Sequence, residues 1–310
     1  MHTDWLAPKF IVLYVYLASA LYVHFRGRVR LGLLRQLFNH STLLAPYNAL
    51  MYLFSAAPPR PLIDPEPYPE LATLRANWQT LRDEAQKLLD EGYIREALHN
   101  NDIGFNSFFK RGWKRFYLKW YGASLPSAQA LCPNSVALLN SLPGIKGAMF
   151  ATLAPRSTLN PHRDPFAGSL RYHLGLVTPN SDACHIVVDG ERYFWRDGEH
   201  VLFDETYIHS VDNATDQTRI ILLADFERPL RTRLLTAINR WVSAHVIKAS
   251  STQNVETEPV GLINRFYGNV YHPIAERINS AGRRLKQSNR RLYYVLKYAI
   301  VLALLYLIFA

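Results

Sequence analysis

Cysteine is almost missing from this chain of 310 residues: Cys132 and Cys184 are the only two, and they form no CxxC pair. That count argues against a disulfide scaffold and against a cysteine-based metal site, and it suits a reducing, cytosolic setting. Zinc-finger spacing and an aromatic RNA-binding signature are both absent, so no motif argues for nucleic acid. Internal repeats and low-complexity tracts are absent as well. Acidic residues are the scarcer charge, with 25 Asp and Glu against 35 Lys and Arg, for a net charge of +10 and a pI near 9.6. Much of the basic excess sits beside the two apolar ends, which favours a membrane surface as the partner.

Residues 10–25, FIVLYVYLASALYVHF, contain no Lys, Arg, Asp or Glu, and with Trp5, Leu6 and Ala7 the run approaches bilayer-crossing length. Arg26, Arg28, Arg30 and Arg35 follow, which by the positive-inside bias puts the rest of the chain in the cytoplasm. A signal peptide would carry its charge before the apolar run, so a retained anchor is expected. At the other end Arg277, Arg283, Arg284, Lys286, Arg290 and Arg291 precede the apolar residues 292–310, whose one charge, Lys297, can snorkel to the basic side. A second transmembrane helix is expected there; the alternative is a packed C-terminal helix of the soluble domain. Residues 43–57, interrupted by Pro46 and Asn48, are too short to span and read as an interfacial or buried helix.

Residues 58–69, PPRPLIDPEPYP, form a proline-dense linker. Residues 70–90 read as a helix, with Leu71, Leu74, Trp78, Leu81, Ala85 and Leu88 on one face and a stop at Gly92. Beyond Gly147 the apolar period becomes two. Residues 169–178 alternate as a strand, 184–188 and 191–195 flank an Asp189-Gly190 hairpin turn, Asp197-Gly198 leads into 200–203, and 218–226 form a further strand. The predicted fold is mainly β with flanking helices: a double-stranded β-helix, or jelly roll, between N- and C-terminal transmembrane helices. Residues 236–251 read as helical and 250–259 as a mobile connector. The expected organisation is a membrane anchor and interfacial segment (1–57), the jelly-roll domain (58–235), a helical, basic connector (236–290) and a membrane helix (291–310).

The chemistry is carried by His162-Arg163-Asp164 and by His209. In an extended segment His162 and Asp164 project to the same side while Arg163 points away. A third ligand from a later strand completes a 2-His-1-carboxylate triad, which leaves adjacent positions open on Fe(II); zinc is the chief alternative metal. Arg219 follows His209 on the next predicted strand, where a guanidinium can take a carboxylate bidentately. Arg171 and His173 share one strand face and can point into the same cavity.

The segments NPHRDP, RYHLGLV, FDETYIHSVDN and RIILLADFERP, within residues 160–230, resemble the aspartyl/asparaginyl β-hydroxylase family of Fe(II)/2-oxoglutarate dioxygenases. The resemblance covers roughly residues 92–230. It implies His162 and His209 as iron ligands, Arg171, His173 and Arg219 as contacts of 2-oxoglutarate, and dioxygen as the other cosubstrate. Animal protein hydroxylases of the family have glycine where Asp164 stands, and the carboxylate matches the bacterial lipid hydroxylases. A serine that contacts cosubstrate in the animal enzymes aligns with Ala151. With the apolar ends, the resemblance implies 2-hydroxylation of an acyl chain of lipid A, with release of succinate and carbon dioxide, at the cytoplasmic face of a bacterial inner membrane. An ornithine lipid, or an Asp or Asn side chain of a protein, is the alternative substrate; a non-enzymatic membrane scaffold is the alternative class.

Asp102, Phe105, Phe108, Phe109, Lys110, Trp113, Lys114 and Arg115 form a mixed aromatic and basic block. Two readings stand: contact with lipid headgroups and an acyl chain, or a surface element with an aromatic core face. Asp204 and Glu205 read either as orienters of the triad or as turn caps. His185 and His200 are expected to have no role at the site, and Asp212-Asn213 to form a turn.

Overall fold

The computed structural model describes residues 6–32, 35–36, 39–99 and 101–309. Trp5 and Ala310, at the outer ends of the apolar runs, lie outside the described residues. Among the described residues the strands are β1 (Leu62–Ile63), β2 (Trp113–Trp120), β3 (Ala123–Ser124), β4 (Ile145–Leu153), β5 (Ser157–His162), β6 (Ser169–Val177), β7 (Cys184–Val188), β8 (Glu191–Phe194), β9 (His200–Phe203), β10 (His209–Asn213) and β11 (Arg219–Glu227). They form a seven-stranded sheet of order β1-β9-β6-β11-β4-β2-β3 and a four-stranded sheet of order β5-β10-β7-β8. From β4 onward the chain passes back and forth between the sheets, which share one apolar core.

Side-chain alternation explains how the core is filled. On β11, Arg219, Ile221, Leu223 and Asp225 share one face and Ile220, Leu222 and Ala224 the other, and all of these are buried. The helices α3 (Pro69–Ala76) and α4 (Trp78–Asp90) contribute Leu71, Leu74, Leu81, Ala85 and Leu88 to the same core. The single helix expected over residues 70–90 is therefore two. Asn77 breaks it at φ −102° and ψ 19°, with its side-chain amide donating back to the Thr73 carbonyl at 2.9 Å, an alternative that Asn offers the backbone. Asp189 and Gly190, with φ of 49° and 90°, make the tight turn between β7 and β8.

The helix α1 (Pro8–Phe25) is, among the described residues, the one helix long and apolar enough to cross a membrane. Ile11, Val12, Val15, Leu17 and Leu21 are exposed on it. Near its end, Ala20 and Val23 pack with Met51 and Tyr52 of α2 (Ala45–Leu53), Ala167 and Leu235. Residues 43–57 thus contain a partly buried helix. The chain closes with α6 (His272–Ser288) and the 20-residue α7 (Arg290–Phe309).

Residue 235, the expected end of the jelly-roll domain, lies within α5 (Arg233–Val242), where Leu235 and Asn239 are buried. The expected mobile connector over 250–259 is docked instead. The Asn254 side chain accepts from the Tyr117 N–H and donates to the Tyr117 carbonyl, both at 2.8 Å, serving an edge position of β2 as a strand would, and Glu258 in turn accepts from the Asn254 N–H at 2.8 Å.

Candidate metal centre

The small sheet brings the two histidines together. His162 ends β5, His209 begins β10, and the register pairs them directly, with ring centroids 4.2 Å apart. Asp164 lies past the strand end, where its N–H donates to the Glu205 carbonyl at 2.9 Å. One ligand atom from each of His162, Asp164 and His209 fits within 4.8 Å of the others. Each imidazole also has Nδ1 against a carbonyl, His162 with Asn160 at 2.7 Å and His209 with Tyr207 at 3.0 Å. A carbonyl can only accept, so Nδ1 carries the proton and the lone pair sits on Nε2. Arg163 points away from the cluster, buried, with Nη1 donating to the Val23 carbonyl of α1 at 2.9 Å.

Three carboxylates meet one guanidinium beside the cluster. Arg171, on β6, lies 2.9 Å from Asp164 Oδ2, 2.9 Å from Asp225 Oδ1, and in contact with Glu205. Burial by itself would raise the Asp164 carboxyl, but Arg171, His209 and His162 outweigh it and hold Asp164 down to about 2. Burial and then His162 push His209 down to about 3, so it is neutral and able to ligate at physiological pH. Arg171 lines the cavity beside the triad, with its guanidinium facing three carboxylates.

The opposite wall has a different character. Arg219 extends from the start of β11 with its guanidinium 4.4 Å from the Trp195 ring centroid, buried, and no carboxylate among the described residues pairs with it. Its Nε has no hydrogen-bond partner, and burial lowers its pKa to about 10. His173, on β6, has neither ring nitrogen paired and is held well below its usual pKa, by burial first and by Arg219 second. Arg219, His173 and the triad line one cavity between the sheets, with Leu159, Ile186, Phe203 and Val211 among its apolar walls. Buried donors without partners are costly unless a ligand answers them, and an anion fits this wall. The nitrogen and oxygen donors of the triad, three in number, fit a metal that keeps further positions open.

The aromatic and basic block divides. Phe105, Phe109 and Trp113 are core, and Arg115 is buried in an ion pair with Asp102 at 3.1 Å, which excludes both from a headgroup surface. Phe108 stands at the cluster, its ring centroid 4.6 Å from that of His162, and Phe105 and Trp113 line the same cavity. The Asp204 carboxylate caps the turn through the Thr206 N–H at 3.1 Å, and the Glu205 carboxylate touches Arg171, which itself lies 2.9 Å from Asp164. Beyond expectation, Asp204 also joins Arg26 at 2.6 Å and Arg228 at 2.9 Å, with the Arg26 guanidinium between the rings of Tyr52 and Tyr207. Ala151 is buried on β4 beside Ile221. His185 and His200 lie against Asp182 and Tyr172, outside the cavity lining.

Residues 75–229 match the family model for aspartyl/asparaginyl beta-hydroxylase. An ornithine lipid ester-linked acyl 2-hydroxylase from Rhizobium tropici is 33% identical over 175 residues, covering 56% of this chain and 62% of that protein. Aspartate beta-hydroxylase domain-containing protein 2 from Homo sapiens is 30% identical over 173 residues, covering 52% of this chain and 45% of that one. The chain thus spans less than two thirds of the length of either relative. A crystal structure of a Pseudomonas putida prolyl-4-hydroxylase overlaps 51% of this chain and 87% of its own, at 19% identity and a TM-score of 0.35.

Proposed function

This chain belongs to the aspartyl/asparaginyl β-hydroxylase family, and on that premise we propose that it is an Fe(II)- and 2-oxoglutarate-dependent dioxygenase that hydroxylates an acyl chain of a membrane lipid. The observation that carries the reading is a His162, Asp164 and His209 cluster sharing one cavity with a buried, uncompensated Arg219. Passage of the chain between the two sheets from β4 to β11, with β7 and β8 paired as a hairpin in the smaller one, supports a double-stranded β-helix and with it the same chemistry.

In this reading His162, Asp164 and His209 hold Fe(II), and Arg219 takes the distal carboxylate of 2-oxoglutarate bidentately. His173 offers that ligand a hydrogen bond. With dioxygen these groups supply the oxidation in which the cosubstrate leaves as succinate and carbon dioxide and one oxygen atom enters a substrate C–H bond. The chain's own residues position and insulate. The Asn160 and Tyr207 carbonyls fix the imidazole tautomers, Arg171 keeps Asp164 ionised, and Phe108 and Phe203 exclude water from the cluster. No protein nucleophile is required.

A lipid substrate is supported by α1, whose last turn touches Arg163 beside the cluster, and by the relative that acts on an ornithine lipid. The ornithine lipid is therefore tested first and lipid A second. The arginines after α1 favour a cytoplasmic catalytic domain at a bacterial inner membrane, with α7 as a second span. Purified full-length protein with Fe(II) and 2-oxoglutarate should release succinate faster with vesicles of one of these lipids than with lipid-free buffer. Release that no lipid stimulates contradicts the assignment.

A further inference from the structure

The amphipathic helix α5 presents apolar residues in two directions. Leu235 and Asn239 point inward, Leu235 into the cluster of Ala45 and Met51, while Asn239 donates to the Gly168 carbonyl at 2.9 Å and accepts from the Tyr47 hydroxyl at 2.6 Å. On the outer side Leu234 is 71% exposed, Trp241 59% and Ile238 39%, at the spacing that places them on one stripe. Arg233 and Arg240 are also exposed and lie along one flank of that stripe, with Arg240 paired to Glu227 at 2.7 Å.

The neighbouring elements say what covers it. α5 packs on α2, α2 packs on the final turns of α1, and α1 exposes apolar side chains along the rest of its length. α2 adds Leu50 and Leu53 to the exposed apolar surface. Two helices with uncovered apolar stripes thus stand where the apolar helix meets the catalytic domain, the level of the headgroups if α1 spans.

We infer that α5 is a second membrane contact, with Leu234, Ile238 and Trp241 seated at the headgroup and acyl boundary of an anionic bilayer and Arg233 toward the phosphates. An indole at that boundary has its apolar body and polar N–H each in a suitable medium. Asn239 binds Gly168 in the β5–β6 connection that also carries Asp164, so the contact holds the metal-bearing loop at the lipid surface. The inference rests on reading α1 as a membrane anchor and is independent of the reaction.

Cys132 and Cys184 are buried, so a new surface thiol can be labelled selectively in the folded full-length protein. Ile238→Cys carrying an environment-sensitive fluorophore is reconstituted in phosphatidylethanolamine and phosphatidylglycerol vesicles, with or without bromine on the acyl chains. Quenching by roughly half or more is expected for a probe seated about 5–10 Å deep, with weaker quenching at Arg240→Cys. Val15→Cys in α1 reports the anchor separately. Quenching at 15 without quenching at 238 overturns the inference and leaves the anchor standing, and absence at both overturns both. Oxidative cross-linking of Ile238→Cys between two copies in place of quenching assigns the stripe to a dimer and also overturns it.

Discussion

Arg219 holds its guanidinium 4.4 Å from the centroid of the Trp195 ring, buried, with no carboxylate to neutralise it among the described residues. A cation so placed costs stability and is compensated when an anion arrives. Arg219→Met is therefore expected to weaken 2-oxoglutarate binding by about 100-fold, in the range lost with a charge-assisted bidentate pair. Unfolding stability should stay equal or rise by about 1–3 kcal/mol. Calorimetric titration and chemical denaturation of one preparation read both; lost affinity together with lost stability contradicts this role.

Arg171 is the opposite case. It stands among Asp164, Glu205 and Asp225, and its removal leaves buried carboxylates facing one another. Arg171→Met is expected to destabilise the protein by about 3–5 kcal/mol, as for other broken buried pairs. A denaturation midpoint equal to that of the wild type would show that the three carboxylates have another counter-charge.

His162→Ala and His209→Ala each remove one metal ligand while leaving the strand pairing of β5 with β10 in place. Iron content after anaerobic loading should fall by an order of magnitude or more in each, with an unchanged β-sheet circular dichroism spectrum. Stoichiometric iron retained by either variant removes that residue from the centre.

Stability should fall on acidification because His173 is buried with a depressed pKa. Its contribution is fully present above the unfolded-state value near 6.5, since there the histidine is neutral in both states. Below that the unfolded chain takes up the proton and the folded protein does not, so stability drops by up to about 1.4 kcal/mol per pH unit. His173→Gln should flatten the loss between pH 6.5 and 5 in denaturation curves of metal-free protein. An unchanged slope shows that His173 is not a source of it.

The elements set by local rules were legible in the sequence. Period-two alternation exposes β6 and β11, the Asp189-Gly190 turn exposes the β7–β8 hairpin, and the spacing of His162, Asp164 and His209 exposes the cluster. Features joining distant segments were not. Arg26 reads as one more basic residue after an apolar run, yet it meets Asp204, 178 positions later. Asn254 sits in a stretch of loop-like composition and still completes the edge of β2, because one side-chain amide can replace a backbone donor and acceptor. The carboxylates around Arg171 are hidden for the same reason: alternation gives the face it shares with His173, while Asp164, Glu205 and Asp225 come from a loop, a turn and another strand.

The most direct test is the mass spectrum of membrane lipids from bacteria producing the wild-type chain, set against cells producing His162→Ala and cells producing neither. One added oxygen is expected, localised by fragmentation to an acyl chain of a single lipid class, in the wild-type sample alone. An identical lipid profile in all three, with full-length protein present in the membranes, contradicts it.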